Sequence, residues 1–298
     1  MGPIAVLFRR HLRVFLRDRL MVVISVMTPF VLFVLFLVFF RDLMTDRIYE
    51  TAVGLDRDRA VYMSDAWLFA GVVSLACFTS SLGMLASFVE DRVSHRFNEY
   101  LVSPVRRWHL AVSYVLSSFT VCVAVAWVAL ALAPLWTWLS DQPMMSGRQF
   151  LAALGGSALA CLTFSAFNVC VVTCLSSQGS FSGYTIGLGV ASGFLSFCYV
   201  PPQFLTESVN NVVSSLPFAH AAVLVRQPVM APALDRLVED LPDPGPRASV
   251  RQLLMNHTAI QIEVDGQTLG TGTIVAILFG LAVVLMGLAS YRMNRVIR

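Results

Sequence analysis

The chain contains no lysine: all 21 basic residues are arginine. A GC-rich coding sequence accounts for such a bias, yet the absence excludes one function. A P-loop uses a lysine to reach nucleotide phosphates, so a standard Walker A site is ruled out. Charge of either sign is scarce, at 13% of 298 residues, against 57% hydrophobic residues. Soluble domains are nearer about 45–50% apolar. With a mean hydropathy of +0.72, the composition is that of an all-α polytopic membrane protein. Catalytic spacings are missing too: there is no His-Glu-x-x-His, no Gly-x-Ser-x-Gly and no acidic pair inside an apolar run. The expectation is therefore no catalytic residue, no metal site and no nucleic-acid partner. The cysteines Cys77, Cys122, Cys161, Cys170, Cys174 and Cys198 all lie in apolar runs. There a thiol packs as a small hydrophobe, and neither Cys170 nor Cys174 has the His or acidic neighbours of a metal site.

What is present is a series of uncharged runs, each compared with the roughly 20 helical residues that cross a bilayer core. They predict six transmembrane helices at 20–40, 66–89, 110–138, 150–175, 181–200 and 271–291 of one domain, 1–298. The fourth and fifth come from one uncharged stretch of 58 residues, Gln149 to Thr206, divided at the turn-rich "SSQGSFSG". The runs hold no Asp, Glu, Arg or His, which argues against a proton- or ion-coupled carrier. A transporter of this composition must take its energy from another protein.

Arginine distribution sets the expected orientation. Segments at both termini and between the second and third spans hold twelve Arg against four acids, and the other side holds nine Arg against fourteen acids. Both termini are expected to be cytoplasmic. Residues 1–19 read as an amphipathic interface helix. Ile4, Leu7, Phe8, Leu12 and Phe15 recur at helical spacing, with Arg9, Arg10, Arg13 and Arg17 between them to face lipid phosphates. A basic flank that only sets topology is the alternative.

After the fifth span, residues 201–226 are too interrupted to cross and too apolar for a plain loop. Asn210, Asn211, Pro217 and His220 break the segment, and a re-entrant hairpin before the last span is expected, because broken backbone at membrane depth must be shielded. His220 is read as structural rather than as a proton relay. Residues 229–270 have the composition of a small external cap: two short helices, then a hairpin around Asp265-Gly266.

The segment best placed to receive energy is 90–109, within "VEDRVSHRFNEYLVSPVRRWH". Val93, Phe97, Leu101 and Val102 can form the apolar ridge of a short helix, with Arg92, Arg96, Asn98 and Glu99 around it, and Pro104 ends it. Arg106, Arg107 and Trp108 mark the return to the interface. From local physics this is either a rigid helix that docks in a partner's groove or a solvated loop.

Beyond these local readings, the pattern resembles the loop between the second and third spans of type-2 ABC exporter permeases. Its matching residues are Glu90 and Arg92, then Glu99, Leu101, Ser103-Pro104 and Arg106/Arg107. "FLRDRLMVVISVMTPFVLFVLF" is similar to that family's start of the first span. "PPQFLTESVNNVVSSLPFAHAAVLVR" is similar to its re-entrant segment, with Leu216-Pro217 and Arg226. Phe97-Asn98 stand where the family often has Gly-Thr. The resemblance implies a bacterial plasma-membrane permease that pairs with a second permease subunit, the same or homologous, and with two ABC ATPase subunits. Those subunits would bind ATP and Mg; this chain would hold no cofactor. Arg92, Arg96, Phe97, Asn98, Glu99, Tyr100, Leu101, Ser103 and Pro104 would couple it to the ATPase. The cargo would be amphipathic, lipid-like or drug-like and moved outward, in contact with membrane lipids. The alternatives are a non-transporting sensor or signalling subunit, and an ATP-independent carrier or membrane enzyme.

Overall fold

The computed structural model describes residues 2–50, 56–94, 96–97, 105–142, 144–239, 244–264 and 266–296. Eleven α-helices make up almost all of it. They are α1 (Pro3–Arg17), α2 (Arg19–Phe39), α3 (Arg41–Glu50), α4 (Arg57–Val93), α5 (Arg107–Leu139) and α6 (Gly147–Val172), then α7 (Gln178–Leu195), α8 (Glu207–Ser214), α9 (Pro217–Glu239), α10 (Pro244–His257) and α11 (Thr271–Val296). Two-residue strands β1 (Glu263–Val264) and β2 (Gln267–Thr268) pair antiparallel, Glu263 with Thr268 and Val264 with Gln267. Gly266 takes the positive φ of 74° that the turn between them requires.

Five helices, α2, α4, α5, α6 and α11, are long and apolar enough to cross a membrane, and the bent pair α8–α9 makes a sixth if counted as one span. The chain is a helical, multi-pass membrane protein. α7 stands where a fifth span is expected, yet its 18 residues fall outside those five. Glycine and serine dilute its hydropathy. The "QGSFSG" expected to form a turn is its first turn, started by the Ser177 hydroxyl accepting from Ser180 N–H at 3.1 Å.

α4 lies at the centre of the bundle, packed against α2, α3, α5, α6, α7 and α9, with nearly every side chain from Tyr62 to Val89 buried. It overruns the uncharged run at both ends, so Asp65 and Asp91 enter the packed interior, each 4% exposed. One interior polar cluster is tied together as burial demands. Asn168 on α6, wholly buried, donates to Ser81 Oγ and to the Phe78 carbonyl of α4, and accepts from the Tyr184 hydroxyl of α7.

The largest departure from expectation is α9. The re-entrant segment is expected to end at 226, and Pro228 and Pro232 just beyond it each remove a helical backbone hydrogen bond at a cost of about 3 kcal/mol. The helix nevertheless continues through both to Glu239. Its stripe of Val229, Met230, Ala233, Leu234 and Leu237 is buried, and burial of that face outweighs the cost. The first expected cap helix is thus the end of α9. α8 and α9 meet at 82° across Ser215-Leu216, the break of a re-entrant hairpin or a broken span.

Candidate functional site

Arg10 meets Asp91, Arg92 meets the end of α6, and Arg292 on α11 touches Cys174 Sγ. The first helix, the end of the last, and the segment after α4 therefore share one end of the bundle. α1 lies across α5 there and buries Leu7, His11 and Phe15, spaced four residues apart along one face. The His11 ring stacks on Tyr114 of α5, centroids 3.8 Å apart and planes 16° apart. Burial and the neighbouring Arg10 push the His11 imidazole down to about 4, so it is neutral.

Asp91 is the hub of this end. Arg10 donates to it through Nη1 (2.9 Å) and Nη2 (3.3 Å), Tyr114 through its hydroxyl (3.0 Å) and Arg96 through Nη1 (3.4 Å). One buried carboxylate thus joins α1, α4, α5 and the segment that follows α4. Removing one member of such a buried pair costs about 3–5 kcal/mol. Here Arg10 keeps 34% side-chain exposure, which puts the cost at the low end.

The next residue extends the junction to α6. Arg92 Nη1 donates to the Thr173 carbonyl at 3.0 Å and to the Leu175 carbonyl, groups left without intrahelical donors where α6 ends. Phe97, 5% exposed, packs edge-on against Phe88 with centroids 5.2 Å apart. Of the expected ATPase contacts, Arg92 and Phe97 therefore face the bundle. Arg96 is exposed, with Glu90 at 3.7 Å. Asn98, Glu99, Tyr100, Leu101, Ser103 and Pro104 lie outside the described residues.

The expected interface arginines divide. Arg9, Arg13 and Arg17 are exposed, whereas Arg10 turns inward to Asp91 instead of to lipid phosphate. Arg106 caps α5 from an exposed position, Arg107 is half-buried in its first turn, and Trp108 is 43% exposed beside the His109 ring. In the re-entrant segment His220 is 3% exposed, its Nδ1 2.7 Å from the Leu216 carbonyl, a helix-start contact. Pro217 opens α9, Asn211 is half-buried on α8, and Asn210 lines a polar crevice with Asn256, Gln261 and Glu263.

Sequence reasoning missed the roles of Asp91, Tyr114 and His11, and met Arg226 only as a matching residue of the re-entrant pattern. One signal was available for Asp91: an acid in the last turn of a helix opposes the macrodipole, so it needs a cationic partner. Arg226 had none. It is wholly buried, with Nη2 donating to the Phe197 carbonyl at 2.7 Å and its guanidinium 5.9 Å from the Trp67 ring centroid. At the same end of the bundle, Arg41 donates to Asp65 at 2.7 and 2.9 Å, and Trp136 Nε1 does so at 3.0 Å. The Asp65 carboxylate pushes the Arg41 guanidinium above its usual value.

No curated protein matches this chain. Residues 56–291, from the start of α4 through most of α11, match the family model described as ABC-2 family transporter protein. That match spans well over half of the sequence, and the chain belongs to the ABC-2 transporter family, as a membrane subunit of an ABC transporter.

Proposed function

We propose that this chain is the permease of an ATP-driven exporter in a bacterial plasma membrane, with both termini cytoplasmic. The junction at Asp91 supports this reading most directly. The segment that would meet an ATPase is fastened at its root to four helices at once, so a push on it is delivered to the bundle rather than absorbed by a loop. Two ATPase subunits, binding ATP and Mg, supply the push. Residues 98–104, Asn98 to Pro104, present the contact, and Arg92 and Phe97 transmit it inward.

A second permease subunit, the same or homologous, completes the transporter. α2 and α7 suit that contact. Val23, Met27, Val31 and Val34 on α2 are exposed, and Gly179, Gly183 and Gly187 on α7 have open space beside them. Small residues four apart allow close helix approach in a bilayer. An amphipathic substrate moves outward along the seam. The deciding experiment is co-purification with the ATPase followed by reconstitution. Glu99→Ala with Tyr100→Ala should leave insertion and ATP hydrolysis in place and abolish transport, and a well-expressed double variant that still transports refutes the coupling assignment. One observation favours a second reading, a sensor subunit. The cap crevice beside Asn210 is polar and amide-lined, and the buried Asn210 Oδ1 has no hydrogen-bond partner among the described residues.

A further inference from the structure

Between the re-entrant segment and the cap lies a crevice of about 330 Å³, with Asn210 and Ser214 of α8 on one side and Asn256, Gln261 and Glu263 on the other. The cap wall is fixed by its own bonds. At Ala259, φ 54°, the chain reverses, and the Ile260 and Gln261 amides donate to the Met255 carbonyl at 3.0 and 3.2 Å. This lays β1 against the end of α10. Asn256 Nδ2 donates to Glu263 Oε1 at 2.9 Å there, and Gln252 Nε2 donates to Gln261 Oε1 at 3.3 Å.

The α8 wall is not satisfied in this way. Asn210 and Ser214 stand one turn apart, so they share the face of α8 that packs on β1. Ser214 is 1% exposed, yet its hydroxyl has no hydrogen-bond partner among the described residues. Asn210 Oδ1 is sealed from solvent and has none among them either. The adjacent Ser215, on the exposed side, does donate to the Val212 carbonyl at 2.7 Å. Leaving a buried polar group unmet costs about 1–3 kcal/mol, and here two of them face one crevice.

The unmet groups define a ligand. Asn210 Oδ1 accepts only, the Ser214 hydroxyl can accept, and Glu263 adds a carboxylate with one oxygen engaged by Asn256. No cationic side chain lines the space among the described residues. A primary ammonium brings three N–H donors and a positive charge, and its bonds to a carboxylate are of the stronger, charge-assisted kind. A hydroxyl brings one donor and no charge. We infer that this crevice binds a primary ammonium group between the cap and the re-entrant segment. α8 meets α9 at the 82° break, so the bound group ties that break to the cap. α11 runs from the cap at Thr271 to Arg292 beside Cys174, so the crevice is at the end away from Asp91, the outer face if the termini are cytoplasmic. The inference deepens the sensor reading and rests on it for any signalling consequence; binding itself does not depend on it.

The test is hydrogen exchange of the α8 amides in the full chain, held in phosphatidylcholine nanodiscs and titrated with ethanolamine or choline. Both probes carry one positive charge and a hydroxyl, but only ethanolamine has N–H donors. Ethanolamine should slow exchange saturably, with half-saturation on the order of 1 mM for so few heavy atoms, and choline should not. Ser214→Ala removes the hydroxyl, and Glu263→Gln removes the charge while keeping an acceptor for Asn256. Each should raise the half-saturation about tenfold. Equal slowing by choline, no effect of ethanolamine, or an undiminished response in both variants overturns the inference. Exchange already slow in phosphatidylethanolamine discs, and quickened there by Ser214→Ala, assigns the ammonium to a lipid headgroup. Slowing only on adding ethanolamine assigns it to a dissolved amine, and either result upholds the site. A chain that binds ethanolamine and also exports with its ATPase refutes the sensor reading and leaves this one standing.

Discussion

The Tyr114 side chain engages His11 and Asp91 at once: its ring carries the stacked His11 at 3.8 Å, and its hydroxyl donates to Asp91 at 3.0 Å. A single residue of α5 thus holds both the apolar and the charged face of α1. Tyr114→Phe keeps the stack and removes the hydrogen bond to a buried carboxylate, at a cost of about 1–3 kcal/mol. Asp91→Asn removes the charge that Arg10 and Arg96 share and should cost as much or more. Thermal unfolding in detergent should rank native above Tyr114→Phe above Asp91→Asn. Asp91→Asn at native stability would show that the junction carries no load.

His11 makes the docking of α1 acid-sensitive. Its folded value of about 4 lies below the ordinary 6.5, so the docked state prefers the neutral ring. Docking is at full strength above 6.5, weakens as pH falls toward about 4, and levels off below that. At pH 5 the loss is about 2 kcal/mol. Hydrogen exchange of the α1 amides should quicken between pH 7 and 5, and His11→Phe should remove that dependence. Arg10 and Asp91 face the same ring and stay charged across this range.

Arg226 pins the irregular chain after α7. Phe197, whose carbonyl it holds, sits at φ 54°. Its Nε and Nη1 are buried without hydrogen-bond partners among the described residues, so the guanidinium is a desolvated charge as well as a strut. Arg226→Met should leave thermal stability unchanged or raise it, because a buried, poorly compensated charge is gone. The amides of Cys198 and Tyr199, which now bond to the Gly193 carbonyl, should exchange faster. A large drop in stability would mean that the pin matters more than the charge.

Two glycines on neighbouring helices should behave oppositely. A Cβ on Gly156 would stand 2.7 Å from the Leu224 carbonyl, where α6 meets α9, and backbone cannot yield cheaply. Gly156→Ala should cost about 1–3 kcal/mol. Gly187 has nothing within 4 Å, so Gly187→Leu should fold normally and instead weaken subunit pairing, read as a shift toward monomer in native mass spectra.

The sequence made apolar helices legible because a bilayer imposes length and apolarity on each one separately; α2, α5, α6 and α11 begin and end near uncharged runs, and α4 overruns its own at both ends. It did not reveal that α9 runs on through Pro228 and Pro232, because the proline penalty is local while the packing that overrides it comes from α4 and α6. The functional end was read outward, as a surface for a partner. Arg92 and Arg10 turn inward because their partners, the Leu175 carbonyl beyond α6 and Asp91 on α4, lie far along the chain, and no spacing along one segment reveals them; Phe97 folds back on Phe88 of the preceding helix. Asp91 alone left a trace, an acid where a helix end disfavours one.

The 81 residues that separate Arg10 from Asp91 have a consequence for biosynthesis. The first helix leaves the ribosome well before its counter-ion, and Tyr114 follows later still. At about 5–20 residues per second, α1 waits several seconds for the surface on which it will rest. During that interval its arginines and apolar stripe have only the lipid headgroups to bind, so the amphipathic pattern serves first as a temporary membrane anchor. Docking then marks completion of the third long helix, and a truncated chain ending before Tyr114 leaves α1 stranded on the bilayer.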